Sequence, residues 1–135
     1  DPSPVRLIPR GGAVSARDYL RAAAFVETYW AEVQTFLERF DVLLMPTVAV
    51  PPFGAGALPP REIAGQDVSV LGWMPFTYPF NMTGQPAASV PAGATDEGLP
   101  VGLQIVGRRH ADGTVLAASA AFEEASPWRD RRPAL

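Results

Sequence analysis

The chain of 135 residues contains no cysteine, no lysine and a single histidine, His110. Without cysteine there can be no disulfide, no thiolate nucleophile and no cysteine-ligated metal. A catalytic serine needs a base within hydrogen-bond reach, and no serine here lies in a Gly-x-Ser-x-Gly or Ser-x-x-Lys arrangement. A glycine-rich phosphate loop is also missing from the sequence. We therefore expect no catalytic residue, no metal site and no cofactor within this chain.

A net positive charge is also absent, since the formal net charge is -3 and the isoelectric point is about 5.0. Such a chain has no cationic field to attract nucleic acid or an anionic membrane surface, so we expect neither as a partner. No apolar run reaches the length of a membrane span, and the N-terminus does not resemble a signal peptide. A cytoplasmic location is our expectation. Because the sequence starts at Asp1 and not at methionine, we expect a piece of a longer protein.

The chain has enough apolar residues for one core, since 47% of its residues are hydrophobic. Prolines and glycines in residues 1–14 predict an extended lead-in. A helix is predicted to begin at Ser15, which forms a capping pair with Asp18, and to run to about Phe40. Its apolar residues recur at steps of four and three and predict one buried face. They are Tyr19, Ala23, Val26, Trp30, Val33, Leu37 and Phe40.

A second row on the same helix leaves an alternative open. Ala22, Phe25, Tyr29 and Phe36 could form a dimerisation seam beside the buried face.

Three apolar runs bounded by turn residues predict strands. Residues 41–45 form a continuous apolar run, typical of a strand buried on both faces at the centre of a sheet. Residues 87–91 and 101–106 predict an antiparallel hairpin, with Gly93 and Gly98 free to take positive φ in its connection. Ser89 is predicted to be a buried core hydroxyl. Short and longer helices are expected over 76–84 and 112–125, the latter with Asp112 as its N-cap.

Several blocks of the sequence resemble, in the correct order, the closing part of the amidase signature family. The blocks are FDVLLMPT (40–47), PFNMTGQPAASVPAG (79–93), GLPVGLQIVG (98–107) and ADGTVLAASAAFEEASPW (111–128). The resemblance implies an α/β fold in which residues 15–135 form the C-terminal part of an amidase domain, with strands of a mixed β-sheet packed with helices. The serine, cis-serine and lysine that hydrolyse the amide in this family would lie upstream.

The resemblance also implies a role for this part of the enzyme in lining the substrate cleft. The side chains predicted to do so are Pro46, Thr47, Trp73, Phe76, Phe80, Asn81 and Met82. Their apolar character favours a small apolar or aromatic amide as substrate, although the same aromatics could simply pack beneath a loop. An inactive interaction or dimerisation module is the alternative function, and uncovered strand edges predict a homo-oligomer in either case.

Overall fold

A computed structural model of the protein describes Ile8, Pro9 and residues 11–129. Helix α1 (Ala16–Leu37) begins where the sequence predicts it. The Ser15 hydroxyl accepts a hydrogen bond from the backbone amide of Asp18 at 3.1 Å and donates one to the Asp18 carboxylate at 2.6 Å. The predicted capping pair is confirmed, and it satisfies an amide that the first turn of the helix leaves without an internal partner.

Only the end of the predicted lead-in, 1–14, belongs to the described residues. There Ile8, Pro9 and Gly11 are helical, and the Val14 amide donates to the Gly11 carbonyl at 3.2 Å. This short stretch is therefore turned, where an extended chain was predicted. The rest of the lead-in and residues 130–135 lie outside the described residues.

A three-stranded sheet forms the centre of the fold. Its strands are β1 (Val42–Pro46), β4 (Ala87–Ala94) and β5 (Pro100–Gly107), in the order β1-β5-β4 with both pairs antiparallel. The predicted hairpin is confirmed, and Gly93 and Gly98 have the expected positive φ of 141° and 80°.

The prediction that the first strand is central and buried on both faces is wrong for the described residues. Strand β1 pairs only with β5 and lies at an edge of the sheet, and Leu44 in its middle is 55% exposed. The central strand is β5, because it alone pairs on both sides.

Helices cover both faces of β5, which explains how the core is divided. Successive side chains of a strand point to opposite faces, so Val106 packs toward α1 and Ile105 packs toward helix α3 (Asp112–Ala125). The first cluster also contains Val33 and Leu37 of α1. The second contains Val90, Val115 and several half-buried neighbours, among them Phe122 and Trp128. This arrangement confirms the predicted α/β class.

The predicted buried face of α1 is correct only for its second half. Val33 and Leu37 are buried and Val26 and Trp30 are half-buried, but every residue from 16 to 25 is exposed. Tyr19, at 69% exposure, Ala23 and Phe40 were wrongly predicted to be covered. For Tyr19 and Ala23 the physical reason is length, since α1 has 22 residues and its first turns extend beyond the sheet. Phe40 lies after the end of the helix at Leu37, so it does not continue the helical face.

Helix α2 (Tyr78–Thr83) follows the loop after Trp73. Pro79 lies in its first turn, where the lost amide has no helical partner, and Gly84 ends it with φ 74°. Sequence patterns did not predict the small hairpin of β2 (Glu62–Ile63) and β3 (Gln66–Asp67). Ala64 and Gly65 both have positive φ in its turn, a geometry more often signalled by Asn-Gly.

The start of α3 differs in one detail from the prediction. Ala111, which has no side chain able to bond, is the residue that precedes the helix, and Asp112 is its first residue. The acid therefore lies in the first turn, where it interacts favourably with the helix dipole, and the predicted N-cap role is wrong.

Arg108 ties the end of β5 to the end of α1. Its Nε donates to the Leu37 carbonyl at 2.7 Å, and its guanidinium lies 3.6 Å from the Asp41 carboxylate. The bond satisfies a carbonyl that the last helical turn leaves free. The Asp41 side chain is largely exposed and the Arg108 side chain is about half exposed, so the carbonyl bond is the more important contact.

Within the described part of the chain, no helix combines the length and apolar character needed to cross a membrane.

Leu37 offers a test of this packing, because it is fully buried while Leu116 on α3 is 67% exposed. We expect Leu37→Ala to lower the free energy of unfolding by about 2–5 kcal/mol, since it removes apolar contacts and leaves a cavity. The matched variant Leu116→Ala should change it by less than about 1 kcal/mol. Urea unfolding followed by circular dichroism measures both. Equal losses for the two variants would contradict the described core.

Candidate substrate-binding groove

An apolar groove of about 570 Å³ lies where β1 and β5 leave the cover of the helices. Residues 48–53, Trp73, Thr95 and residues 100–102 line it. We call it the apolar groove. A concave apolar surface with a few polar groups is the usual form of a small-molecule site.

The segment after β1 is held against the loop before α2 by backbone bonds. The Thr47 amide donates to the Gly102 carbonyl at 3.0 Å, and the Ala49 amide donates to the Trp73 carbonyl at 3.0 Å. Phe53 and Trp73 meet edge to face, with ring centroids 5.5 Å apart and planes at 88°. This preferred aromatic geometry gives the groove one firm wall.

A pair of hydroxyls lies at the Gly102 end of the apolar groove. Thr47 Oγ1 and Ser89 Oγ are 2.6 Å apart, and they meet across β5. A Cβ on Gly102 would lie 2.7 Å from the first oxygen and 2.8 Å from the second, so only glycine leaves room for the pair. One hydroxyl donates to the other, and the second keeps a free proton with which it can bind a ligand.

The exposure of this pair corrects the prediction that Ser89 is a buried core hydroxyl. Ser89 is exposed because its side chain points to the α1 and α2 face of the sheet at a point that neither helix covers.

A buried amide supports the loop beside the groove. Gln104 is almost fully buried, and its Nε2 donates to the Phe76 carbonyl at 2.7 Å. The bond fixes the backbone that leads from Trp73 into α2, and it satisfies an amide that would be costly to bury unpaired. Phe76 is thus connected to the sheet through its backbone.

The structure separates the side chains that were predicted to line one cleft. Trp73 lines the apolar groove, whereas Thr47 lies next to the lining residue Gly102 and Pro46 lies beside Thr47 at the end of β1. Phe80 is only 4% exposed and packs with α1 and the sheet, so its ring belongs to the core.

Asn81 and Met82 border a different groove of about 330 Å³, between α2 and α1. Its other walls include Trp30 and Arg109. The Trp30 Nε1 group is buried and has no hydrogen-bond partner among the described residues. This second groove is separate in its lining from the apolar groove.

The apolar groove can bind and orient a molecule, but its described residues offer no base. Neither hydroxyl of the pair hydrogen-bonds to a carboxylate or an imidazole within residues 11–129. His110 is exposed, with φ 65°, in the turn before α3. The described residues also contain no cluster of three groups suited to a metal ion. The chemistry available here is therefore binding through apolar contact and hydroxyl bonds.

Sequence reasoning missed most of the groove. Phe53 and the residues before it follow β1 as an apolar, proline-rich run. Such a run predicts a loop, and the sequence of a loop does not indicate where its side chains point. Gly102 is visible in the sequence, but its role depends on the register that places it between Thr47 and Ser89.

Comparison with known proteins finds a family match and relatives named as amidases. Residues 3–116 match the Amidase family. An acylamidase of Rhodococcus erythropolis is 43% identical over 119 residues, which are 87% of this chain and 25% of the relative. A putative amidase, AmiA2, of Mycobacterium tuberculosis is 34% identical over 125 residues, which are 92% of this chain and 26% of the relative. The chain thus spans about a quarter of the length of these relatives.

Solved structures with the same fold include longer chains, of which this chain covers 28%. A bacterial aryl acylamidase of the amidase signature family superposes with a TM-score of 0.83 at 38% identity, over 96% of this chain and 28% of that one. A 6-aminohexanoate cyclic dimer hydrolase superposes with a TM-score of 0.71 at 30% identity, over 95% of this chain and 28% of the hydrolase chain.

The space at Gly102 can be tested by substitution. We expect Gly102→Ala to lower the free energy of unfolding by about 1–3 kcal/mol, because the new methyl group forces Thr47 and Ser89 apart. Gly113→Ala is the control, since its Cβ would have no atom within 4 Å and alanine favours the helix there. It should leave stability unchanged or raise it. Chemical unfolding of both variants measures these free energies. An unchanged free energy of unfolding in Gly102→Ala would contradict the described contact.

Proposed function

Because the chain belongs to the amidase family, we propose that it is the C-terminal part of an amidase that hydrolyses carboxylic amides of small molecules. Residues 15–135 form one structural unit of that enzyme in this proposal. The proposal is supported by the span of the chain, about a quarter of the acylamidase and AmiA2 relatives. It is also supported by the sequence inventory, which has no lysine to act as a base.

The catalytic groups belong, in this proposal, to the upstream part of the polypeptide. A lysine there takes a proton through a cis-serine, so that a second serine attacks the amide carbonyl, and water then releases the acyl group. The present chain contributes strands and one wall of the substrate cleft. Alone, it is inactive.

The observation that carries the substrate assignment is the apolar groove ending at the Thr47–Ser89 pair. Apolar walls with the Phe53–Trp73 ring pair suit an aryl or alkyl group, and they give a charged group such as a free amino acid no counter-ion. Two of the relatives carry names in keeping with this, acylamidase and aryl acylamidase.

The cleft wall is therefore proposed to consist of Pro46, Thr47, Trp73 and the loop at Phe76. The core position of Phe80 and the separate groove of Asn81 and Met82 give those three side chains no support as substrate contacts.

A second candidate is an interaction module without catalysis, and one observation favours it. Large apolar side chains are exposed along α1, and both edge strands of the described sheet are open. Unpaired edges and bare apolar faces promote association, so we propose that the isolated chain is a homo-oligomer.

The function is tested with the full-length enzyme that carries this chain, assayed on a neutral aryl amide such as acetanilide and on glutamine. We expect hydrolysis of the aryl amide and a much lower kcat/KM for glutamine. The 135-residue chain alone should give no turnover. Turnover by the chain alone, or a preference for glutamine, would argue against the assignment.

Trp73→Ala in the same full-length enzyme extends this test to the groove. It should raise KM for the aryl amide about tenfold with little change in kcat, because the lost ring contacts substrate and transition state alike. Leu116→Ala, remote from the groove on α3, is the control. Unchanged kinetics in Trp73→Ala would remove the groove from the substrate site while leaving the amidase assignment intact.

Self-association of the isolated chain is measured by light scattering. We expect a dimer or larger species at micromolar concentration, because open strand edges can pair between copies. A monomer that persists at high concentration would contradict this expectation.

A further inference from the structure

The Thr47–Ser89 hydroxyl pair is a polar group at one end of a groove whose walls are mostly apolar. The two oxygens lie 2.6 Å apart, and both approach the point that a Cβ on Gly102 would occupy. Gly102 itself lines the apolar groove. Ser89 is exposed and Thr47 is half-buried, so a bound molecule can reach the pair.

The sheet holds the pair in a fixed position. Val106, Gln104 and Gly102 are alternate residues of β5, so they share one face of the sheet. Val106 packs toward α1, and Gln104 is bonded to the loop at Phe76. The pair lies one step farther along, where this cover ends. Because the Thr47 amide also donates to the Gly102 carbonyl at 3.0 Å, the backbone keeps the Thr47 hydroxyl in place.

The hydrogen bonds of the pair leave one proton without an acceptor. Two hydroxyls carry two protons, and the bond between them uses one. No other described side chain or backbone oxygen accepts the second. The hydroxyls of Thr28, Thr35 and Ser119 differ in this respect, because each donates to a carbonyl one helical turn earlier.

The free proton indicates the chemistry of a ligand that suits this end of the groove. A polar hydrogen without a partner is rarer in proteins than an oxygen with a spare lone pair, so a ligand that brings an acceptor gains most. The bond between the two hydroxyls polarises the outer one and strengthens its donation. An ionised ligand group would meet no opposite charge in the groove lining. A neutral oxygen, such as that of a ketone or an ether, fits these conditions.

The acceptor is distinct from the amide that is cleaved. In acyl transfer the amide carbonyl is held by donors beside the attacking serine, and the proposed enzyme has that serine upstream. The pair has no base next to it, so it can hold a group but cannot activate one.

We propose that the Thr47–Ser89 pair is a specificity-determining contact, which donates a hydrogen bond to a neutral oxygen on the aryl or alkyl group that the apolar groove holds. Amides that carry a ketone or ether oxygen on this group are then preferred over amides with a plain hydrocarbon group. The inference rests on the proposed function for the reaction, but the contact itself is a binding property and can be measured without turnover.

The first test measures binding of two small probes to the full-length enzyme. Acetophenone and isopropylbenzene have nearly the same shape, but only acetophenone has an oxygen acceptor. Ligand-observed NMR gives the dissociation constant of each for the parent enzyme, Thr47→Val and Ser89→Ala. We expect acetophenone binding to weaken about three- to tenfold in both variants, as for loss of one neutral hydrogen bond. Isopropylbenzene binding should change by less than about twofold.

Thr47→Ser is the matched control, because it keeps the hydroxyl and removes only the methyl group. It should preserve the parent ratio of the two dissociation constants. If Thr47→Val or Ser89→Ala fails to fold, the other variant and Thr47→Ser still test the contact.

The second test is kinetic and uses 4′-acetylacetanilide and 4′-isopropylacetanilide as substrates. The ratio of their kcat/KM values should fall by about three- to tenfold in Thr47→Val and Ser89→Ala. The intrinsic reactivities of the two amides cancel when this ratio is compared between variants. A purely structural role of the pair would lower both kcat/KM values alike and leave the ratio unchanged.

Several outcomes would overturn the contact. They are a failure of acetophenone to bind, equal losses for the two probes, and ratios that stay at the parent value in both variants. A ratio that falls in Thr95→Val but not in the pair variants would assign the acceptor to the other hydroxyl of the groove lining. Acetophenone binding that depends on the pair, in an enzyme that does not hydrolyse acetanilide, would support the contact and count against the proposed activity.

Discussion

The alternation of side chains along β5 is the constraint on which the fold depends. Because neighbouring residues point to opposite faces, Ile105 and Val106 require apolar cover on both sides of one strand. Helix α3 supplies one cover and α1 with α2 supplies the other. Strands β1 and β4 flank β5, one on each side. Arg108 completes the arrangement by joining the end of this strand to the last carbonyl of α1.

The apolar groove follows from where that cover stops. Toward Gly102 the helices no longer reach the sheet, and the chain leaves β1 as an apolar segment closed by the Phe53–Trp73 pair. Buried polar contacts hold its surroundings, as the Gln104 amide does for the loop at Phe76. The groove thus lies at the edge of a well-packed core, where a rigid sheet positions the loops that line it.

Much of the local structure could be predicted from the sequence because its causes are local. Three predictions depend on short stretches of sequence, and each is confirmed. They are the cap at Ser15, the hairpin with Gly93 and Gly98, and the family resemblance of the four sequence blocks. The errors arise where distant parts decide. Tyr19 continues the periodic face of α1 but no described residue covers it, and Ser89 has the context of a core residue but lies beyond the covering helices.

The candidate site was less predictable for the same reason. The family resemblance placed Trp73 and Phe80 in one predicted cleft, yet only packing could assign one ring to a groove and the other to the core.

The hydroxyl pair also has a consequence for how this sequence can vary. Thr47, Ser89 and Gly102 come from three strands or their ends, yet they share a single small volume. A mutation that adds a side chain at Gly102 is compatible with the same backbone only if both Thr47 and Ser89 become smaller or move away. We therefore expect the amino acids at the three positions to change together among related sequences, even though they are separated by long stretches of chain.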